Sequence, residues 1–171
     1  GETRGRRRCA GLSTGQSTSS CKMDGTERAV IMEFFDVVKN RGSYRGEFLP
    51  EAVRDEDLER ILDAGIRAPS GYNLQTTSFI AVKDARLRAE IAGILSTPAT
   101  RTAPVILVVL SAFDDSHEGL SFEMVDYGAA TENIMLAITA LGYAGVWMDG
   151  MVRLDGAREK LTALLPIPEG K

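Results

Sequence analysis

Arg41-Gly42-Ser43-Tyr44-Arg45 and, further along, Ala68-Pro69-Ser70-Gly71-Tyr72-Asn73-Leu74-Gln75 are the stretches that decide how this chain is read. The first places two guanidiniums and a hydroxyl within five residues. In an extended segment side chains alternate, so Arg41, Ser43 and Arg45 point to one side. A guanidinium fork with a hydroxyl suits a phosphate, and a second guanidinium can face the edge of a flat electron acceptor beyond it. A solvated basic turn is the competing reading. In the second stretch Pro69 breaks a helix, and Ser70-Gly71 offers backbone N–H groups and a hydroxyl with little bulk. Asn73 and Gln75 add amides that can meet donor and acceptor edges of a ring. Alone, that stretch also fits an ordinary helix-ending loop whose polar groups cap their neighbours.

The surroundings of the two motifs read as alternating helices and strands. Ile31, Phe34, Phe35 and Val38 recur at helical spacing, with Gly42 as a left-handed stop. Asp55 is placed to cap a second helix whose buried stripe is Leu58, Ile61, Leu62 and Ile66. Thr77 to Lys83 predicts a strand, Asp84 to Leu95 a helix, and Val105 to Leu110 a strand buried on both faces. Ser121 to Leu141 predicts the longest helix, covered all round in its second half and closed by Gly142. Its Asp126, Tyr127, Glu132 and Asn133 read as interface hydrogen-bonding groups, with buried functional groups as the alternative. Gly145 to Met148 predicts a short strand and Leu154 to Leu165 a last helix. This pattern gives an α/β or α+β class.

Trp147-Met148-Asp149-Gly150 is a third candidate element, where Gly150 permits close backbone approach to a ligand. The competing reading makes Trp147 and Met148 core and Asp149-Gly150 a turn. Tyr72 and Phe122 are candidates to flank a substrate.

These three elements, in this order and spacing, resemble the nitroreductase family, FMN-dependent NAD(P)H oxidoreductases. The resemblance runs from about Met32 to Lys171. It implies an α+β (α/β sandwich) fold with a central mixed sheet packed by helices, in an intertwined homodimer. It implies that Arg41 and Ser43, beside Gly42, hold the FMN phosphate and ribityl, and that Arg45 faces the N1–O2 edge. Pro69, Ser70, Gly71, Asn73 and Gln75 would reach the flavin bound mainly by the other subunit, and Asp149 and Gly150 would lie beside N5. No side chain is assigned as catalytic, because the flavin carries the chemistry. NAD(P)H would reduce it and an electron-poor substrate, a nitroaromatic or quinone, would then be reduced in a ping-pong scheme. Two departures from the family pattern stand out. Thr76-Thr77-Ser78 follows Gln75 where a bulky aromatic is common, and the C-terminal strand and arm of the family are missing after Lys171.

Composition bounds the alternatives. With 171 residues and 44% hydrophobic content the chain is sized for one cored domain. Residues 1–22 carry Arg4, Arg6, Arg7, Arg8 and Lys22 against Glu2, a balance of +4, so with a total of −4 the remainder carries −8. An acidic domain argues against a nucleic-acid surface. Cys9 and Cys21 both lie in this leader, leaving no thiolate site in the domain, and the lone His117 makes a metal cluster or a Ser-His-Asp triad a poor expectation. The apolar runs are too short to span a bilayer. The expectation is a soluble, cytoplasmic protein with a small-molecule substrate, no metal, no nucleic acid and no membrane partner. Residues 1–31 read as a disordered or non-native arm and 32–171 as the domain. Two rivals remain: a flavin-binding or dimerising fragment without catalysis, and a reductive dehalogenase-type relative.

Overall fold

The computed structural model describes residues 32–115 and 118–171. The expectations for the leader, with both cysteines, and for His117 fall outside these residues. The elements are α1 (Phe34–Asn40), α2 (Asp55–Ile66), β1 (Thr77–Val82), α3 (Ala85–Leu95), α4 (Pro98–Thr102), β2 (Ile106–Ser111), α5 (Glu123–Ala140), α6 (Asp149–Val152) and α7 (Ala157–Leu164).

The two strands pair antiparallel with Thr77 opposite Ser111 and Val82 opposite Ile106. Strand alternation then divides the molecule into layers. Ile80 and Val82 of β1, with Ile106 and Val108 of β2, face a core built by Ile91 and Leu95 of α3 and Ala157 and Leu161 of α7. Phe79 points the other way, towards Gly65 of α2 and Ile134 of α5. Helices thus cover both faces of a small sheet, in keeping with the α+β class. A single parallel bridge, Ser43 with Gly145, joins the arm after α1 to the segment after α5.

Local chemistry explains the element ends. Asp84 caps α3 by accepting the Leu87 amide at 2.9 Å. Gly142, at φ +79°, closes α5: its own amide reaches Thr139 O at 3.0 Å and that of Tyr143 reaches Ile138 O at 2.9 Å. That pair of bonds is a Schellman stop, which a left-handed glycine makes without steric cost. Thr97 and Thr100 form a reciprocal capping box at the start of α4, a short helix that the apolar periodicity did not predict.

Several expectations are corrected. The α1 face is inverted: Val37 is buried whereas Phe34, Phe35 and Val38 are exposed. Gly42 is not a left-handed stop, because α1 ends at Asn40 and the chain leaves through Arg41 at φ −58°, ψ 124°. Arg54, not Asp55, is the N-cap of α2, and Ile66 lies exposed. Gly145 to Met148 makes only the one bridge. β2 is fully buried only at Leu110, and the second half of α5 is half-buried beyond Met135. No helix among the described residues is long and apolar enough to cross a membrane.

Candidate functional site

The 69–76 loop is held by the first turn of α5. Asp126, itself buried, accepts the Gly71 amide at 2.9 Å through Oδ1 and the Thr76 hydroxyl at 3.1 Å through Oδ2. One helical turn earlier Phe122 closes over the same glycine. A Cβ at residue 71 would sit 2.3 Å from Phe122 Cγ, so only glycine fits. The Phe122 ring also meets Tyr72 edge to face at 5.6 Å, which brings together the two residues expected to flank a substrate.

Inside this clamp the backbone is strained. Tyr72, Asn73 and Gln75 take φ values of 49°, 57° and 52°, a region that costs a non-glycine residue roughly 1–3 kcal/mol. The short-range bonds that enforce it are Gln75 N to Ser70 Oγ at 3.0 Å, Asn73 N to Ser70 O at 3.0 Å and Leu74 N to Gly71 O at 3.0 Å. The result turns the Asn73 and Gln75 amides outwards, where both residues are exposed and linked by a long 3.4 Å contact. A cavity of about 160 Å³ opens beside the loop, lined by Ala68, Pro69, Ser70, Gln75, Thr77 and Asp126 among others. The Thr77 hydroxyl is buried there without a hydrogen-bond partner. Cofactor pockets usually exceed about 300 Å³, so this cavity alone is too small to enclose one.

The arm after α1 behaves as its alternation predicts from Ser43 onwards. Ser43 and Arg45 are exposed, while Tyr44 turns in, packs on Phe48 with ring centroids 5.2 Å apart and donates to Glu47 O at 2.9 Å. The Tyr44 amide donates to Gly145 O at 2.8 Å, which fixes the arm against the segment leading to Asp149. Gly42 is exposed beside Arg41, whose Nε lies 3.0 Å from Glu132 Oε1 on α5.

The Asp149 carboxylate is fully engaged. Arg153 grips it with Nε at 2.8 Å and Nη2 at 2.9 Å, and the Tyr127 hydroxyl donates to it at 3.4 Å. Trp147 Nε1 in turn donates to Tyr127 Oη at 2.8 Å. The Arg153 fork, foremost, holds Asp149 below the usual carboxylate range, and burial, foremost, pushes the Tyr127 phenol up. Trp147 is 39% exposed, contrary to its reading as core, whereas Met148 does border the core. Gly150 is exposed with open space around its α-carbon.

Both motifs are therefore anchored on α5, through Asp126 and through Glu132. Six residues along an α-helix amount to about 9 Å of rise and about 240° of rotation, which puts the two anchors on different faces. Sequence reasoning read Asp126 and Glu132 as interface hydrogen-bonding groups; within the chain they bond the 69–76 loop and Arg41. It missed Arg153 altogether, although the Asp149–Arg153 spacing is that of an i,i+4 helical ion pair.

The donor set fits a flavin mononucleotide. Ser43 and Arg45 expose a hydroxyl and a guanidinium on the arm, Ser70 and Gln75 line the cavity, and Asn73 is exposed next to Gln75.

Comparison with known proteins identifies the family. The family model described as "Nitroreductase family" matches residues 38–97 and 93–171. A provisionally named NADH dehydrogenase/NAD(P)H nitroreductase of Archaeoglobus fulgidus is 34% identical over 119 residues, 68% of this chain and 67% of that protein. A protein of the same name from Methanothermobacter thermautotrophicus is 31% identical over 140 residues, 81% of this chain and 71% of that one. Among solved structures, a nitroreductase with bound FMN from Bacteroides fragilis superposes with a TM-score of 0.64 at 27% identity, covering 81% of this chain and 82% of that one. With a family model spanning nearly all of residues 38–171, and with the anchored loop, the arm and the Asp149 clamp in place, this chain belongs to the nitroreductase family.

Proposed function

We propose that this chain is an FMN-dependent NAD(P)H oxidoreductase that reduces electron-poor small molecules, nitroaromatics or quinones, by a ping-pong scheme as a homodimer. The observation that carries the reading is the placing of two outward-facing polar motifs on different faces of α5, each held by a carboxylate of that helix. Two copies of the chain would bring the arm of one to the loop of the other. Exposed apolar side chains at Phe34, Phe35, Met124 and Val125 offer surface for such a contact.

Within that reading, Arg41 and Ser43, with Gly42 between them, hold the phosphate and ribityl. Arg45 would face the pyrimidine edge, where its charge would stabilise the reduced ring. Pro69, Ser70, Gly71, Asn73 and Gln75 belong to the wall presented to the partner's cofactor. Asp149 and Gly150 contribute main-chain groups, because the Asp149 carboxylate is already held by Arg153 and Tyr127. Tyr72 and Phe122 form the edge against which a flat substrate rests. When bound, FMN supplies the hydride acceptor and donor that couples NAD(P)H oxidation to reduction of the second substrate. No side chain is required as a general acid or base, and none is assigned. The absence of cysteine from residues 23–171 suits a reducing compartment such as the cytoplasm.

The test is steady-state kinetics with NAD(P)H and a nitroaromatic or quinone on the FMN-loaded protein. Parallel double-reciprocal lines are expected. Intersecting lines, or no turnover with any acceptor of these classes, would contradict the assignment.

A further inference from the structure

We propose that Glu132 determines how strongly this chain favours the phosphorylated form of its flavin: its carboxylate holds Arg41 and opposes a phosphate at the same guanidinium. The inference rests on the reading above that Arg41 meets the cofactor phosphate. Arg41 leaves the end of α1 in an extended conformation, and Glu132 sits in the middle of α5. Their contact, Nε to Oε1 at 3.0 Å, joins two elements, so Glu132 does not move aside without loss of that pairing. Both side chains are partly exposed, at 32% for Arg41 and 47% for Glu132, and remain open to an incoming anion.

A phosphate monoester carries about −1.5 to −2 charges at neutral pH. On arrival it either shares Arg41 with Glu132, bringing two anions to one cation, or displaces Glu132 and breaks the existing pair. Both routes weaken binding of the phosphorylated ligand relative to the same site without the carboxylate. Neither affects a flavin that lacks the phosphate. Among the described residues Arg41, and not Arg45, is ion-paired to a carboxylate, so the effect is assigned to this one acidic residue.

Glu132→Gln separates charge from shape. The amide oxygen can still accept from Arg41 Nε, and at a half-exposed position the exchange adds no burial cost. FMN and riboflavin affinities are measured by flavin fluorescence quenching for the wild type, E132Q and R41A, with thermal melts as a check on folding. E132Q is expected to tighten FMN on the order of fivefold at low ionic strength, with the gain shrinking as salt is added. Riboflavin affinity is expected to stay within about twofold, since a neutral ligand feels no such charge. R41A is expected to weaken FMN selectively. Unchanged or weaker FMN binding by E132Q, with R41A still selective for FMN, overturns the competition while leaving the cofactor reading intact. An R41A variant that treats FMN and riboflavin alike, or a wild type that binds neither, overturns both.

Discussion

The Asp126 carboxylate accepts the Gly71 amide at 2.9 Å across 55 residues of sequence, and one turn earlier on the same helix Phe122 closes over that glycine. A polar bond and a steric limit thus act on one residue from one helix end. Together they offset the cost of three consecutive-region residues in left-handed conformation, Tyr72, Asn73 and Gln75. α5 thus anchors the loop at Gly71, while the bonds from Asn73, Leu74 and Gln75 back to Ser70 and Gly71 shape its turn.

Removing the acceptor tests this directly. Asp126→Ala leaves the Gly71 N–H without its partner, while the Thr76 hydroxyl keeps Ser111 Oγ at 3.3 Å, so the cost is that of one unsatisfied donor, roughly 1–3 kcal/mol. Denaturant unfolding should show that loss, and amide exchange at Gly71, Asn73 and Leu74 should accelerate. Protection unchanged from the wild type would mean that the loop is held by its internal bonds alone.

Gly71→Ala tests the steric half. A methyl group 2.3 Å from Phe122 forces the ring or the loop to shift, an overpacking penalty of about 1–3 kcal/mol. Pairing it with Phe122→Ala should recover much of the G71A penalty, giving a coupling energy in a double-mutant cycle. Additive losses would place the clash elsewhere.

Arg153→Ala separates position from stability. The Arg153–Asp149 pair is 54% and 37% exposed, so its loss should change unfolding free energy by less than about 1 kcal/mol. The Asp149 carboxylate would keep only its long 3.4 Å bond from Tyr127, loosening the main chain at Asp149-Gly150, and flavin reduction by NAD(P)H should slow several-fold with the melting temperature nearly constant. A rate equal to that of the wild type would remove the clamp from the account.

Asp57 gives a pH signature. Arg54 grips it with Nε at 2.9 Å and Nη2 at 3.0 Å, and the Tyr143 hydroxyl adds a bond at 2.8 Å, linking α2 to the end of α5. These bonds, Arg54 foremost, lower its pKa in the folded chain. Its contribution is therefore complete above the unfolded carboxyl value of about 3.9 and disappears as pH falls through the folded value. The melting-temperature gap between wild type and Asp57→Asn should be full near neutral pH and narrow in acid. A gap independent of pH would show that the carboxylate's charge is irrelevant.

Much of this was legible in the sequence. Gly142 after an apolar run gave a true helix end, because that stop is a local interaction, and the helix start read at Asp84 fell on its N-cap, whereas the cap read at Asp55 lay one residue late. The β1 and β2 runs were found from their β-branched content. The α1 face was not, since a run with Phe34, Phe35 and Val38 exposed cannot be distinguished by periodicity from one that buries them. Pro98–Thr102 escaped because its stability comes from the Thr97/Thr100 box, not from an apolar stripe. The polar motifs themselves could be read, but not their supports. Asp126 to Gly71 and Glu132 to Arg41 are long-range pairs that no local pattern encodes.

The central claim is that the cofactor site is assembled from the arm of one copy and the loop of another, and mixing variants tests it most directly. One chain carries Arg41→Ala with Ser43→Ala, the other Asn73→Ala with Gln75→Ala, and FMN binding is measured for each alone and after dissociation and reassembly together. A site shared across a two-fold dimer leaves one intact site in each mixed pair, so binding should reappear at about a quarter of wild-type stoichiometry. No recovery in verified mixed dimers, with the wild type binding FMN fully, would show that a single chain builds the whole site.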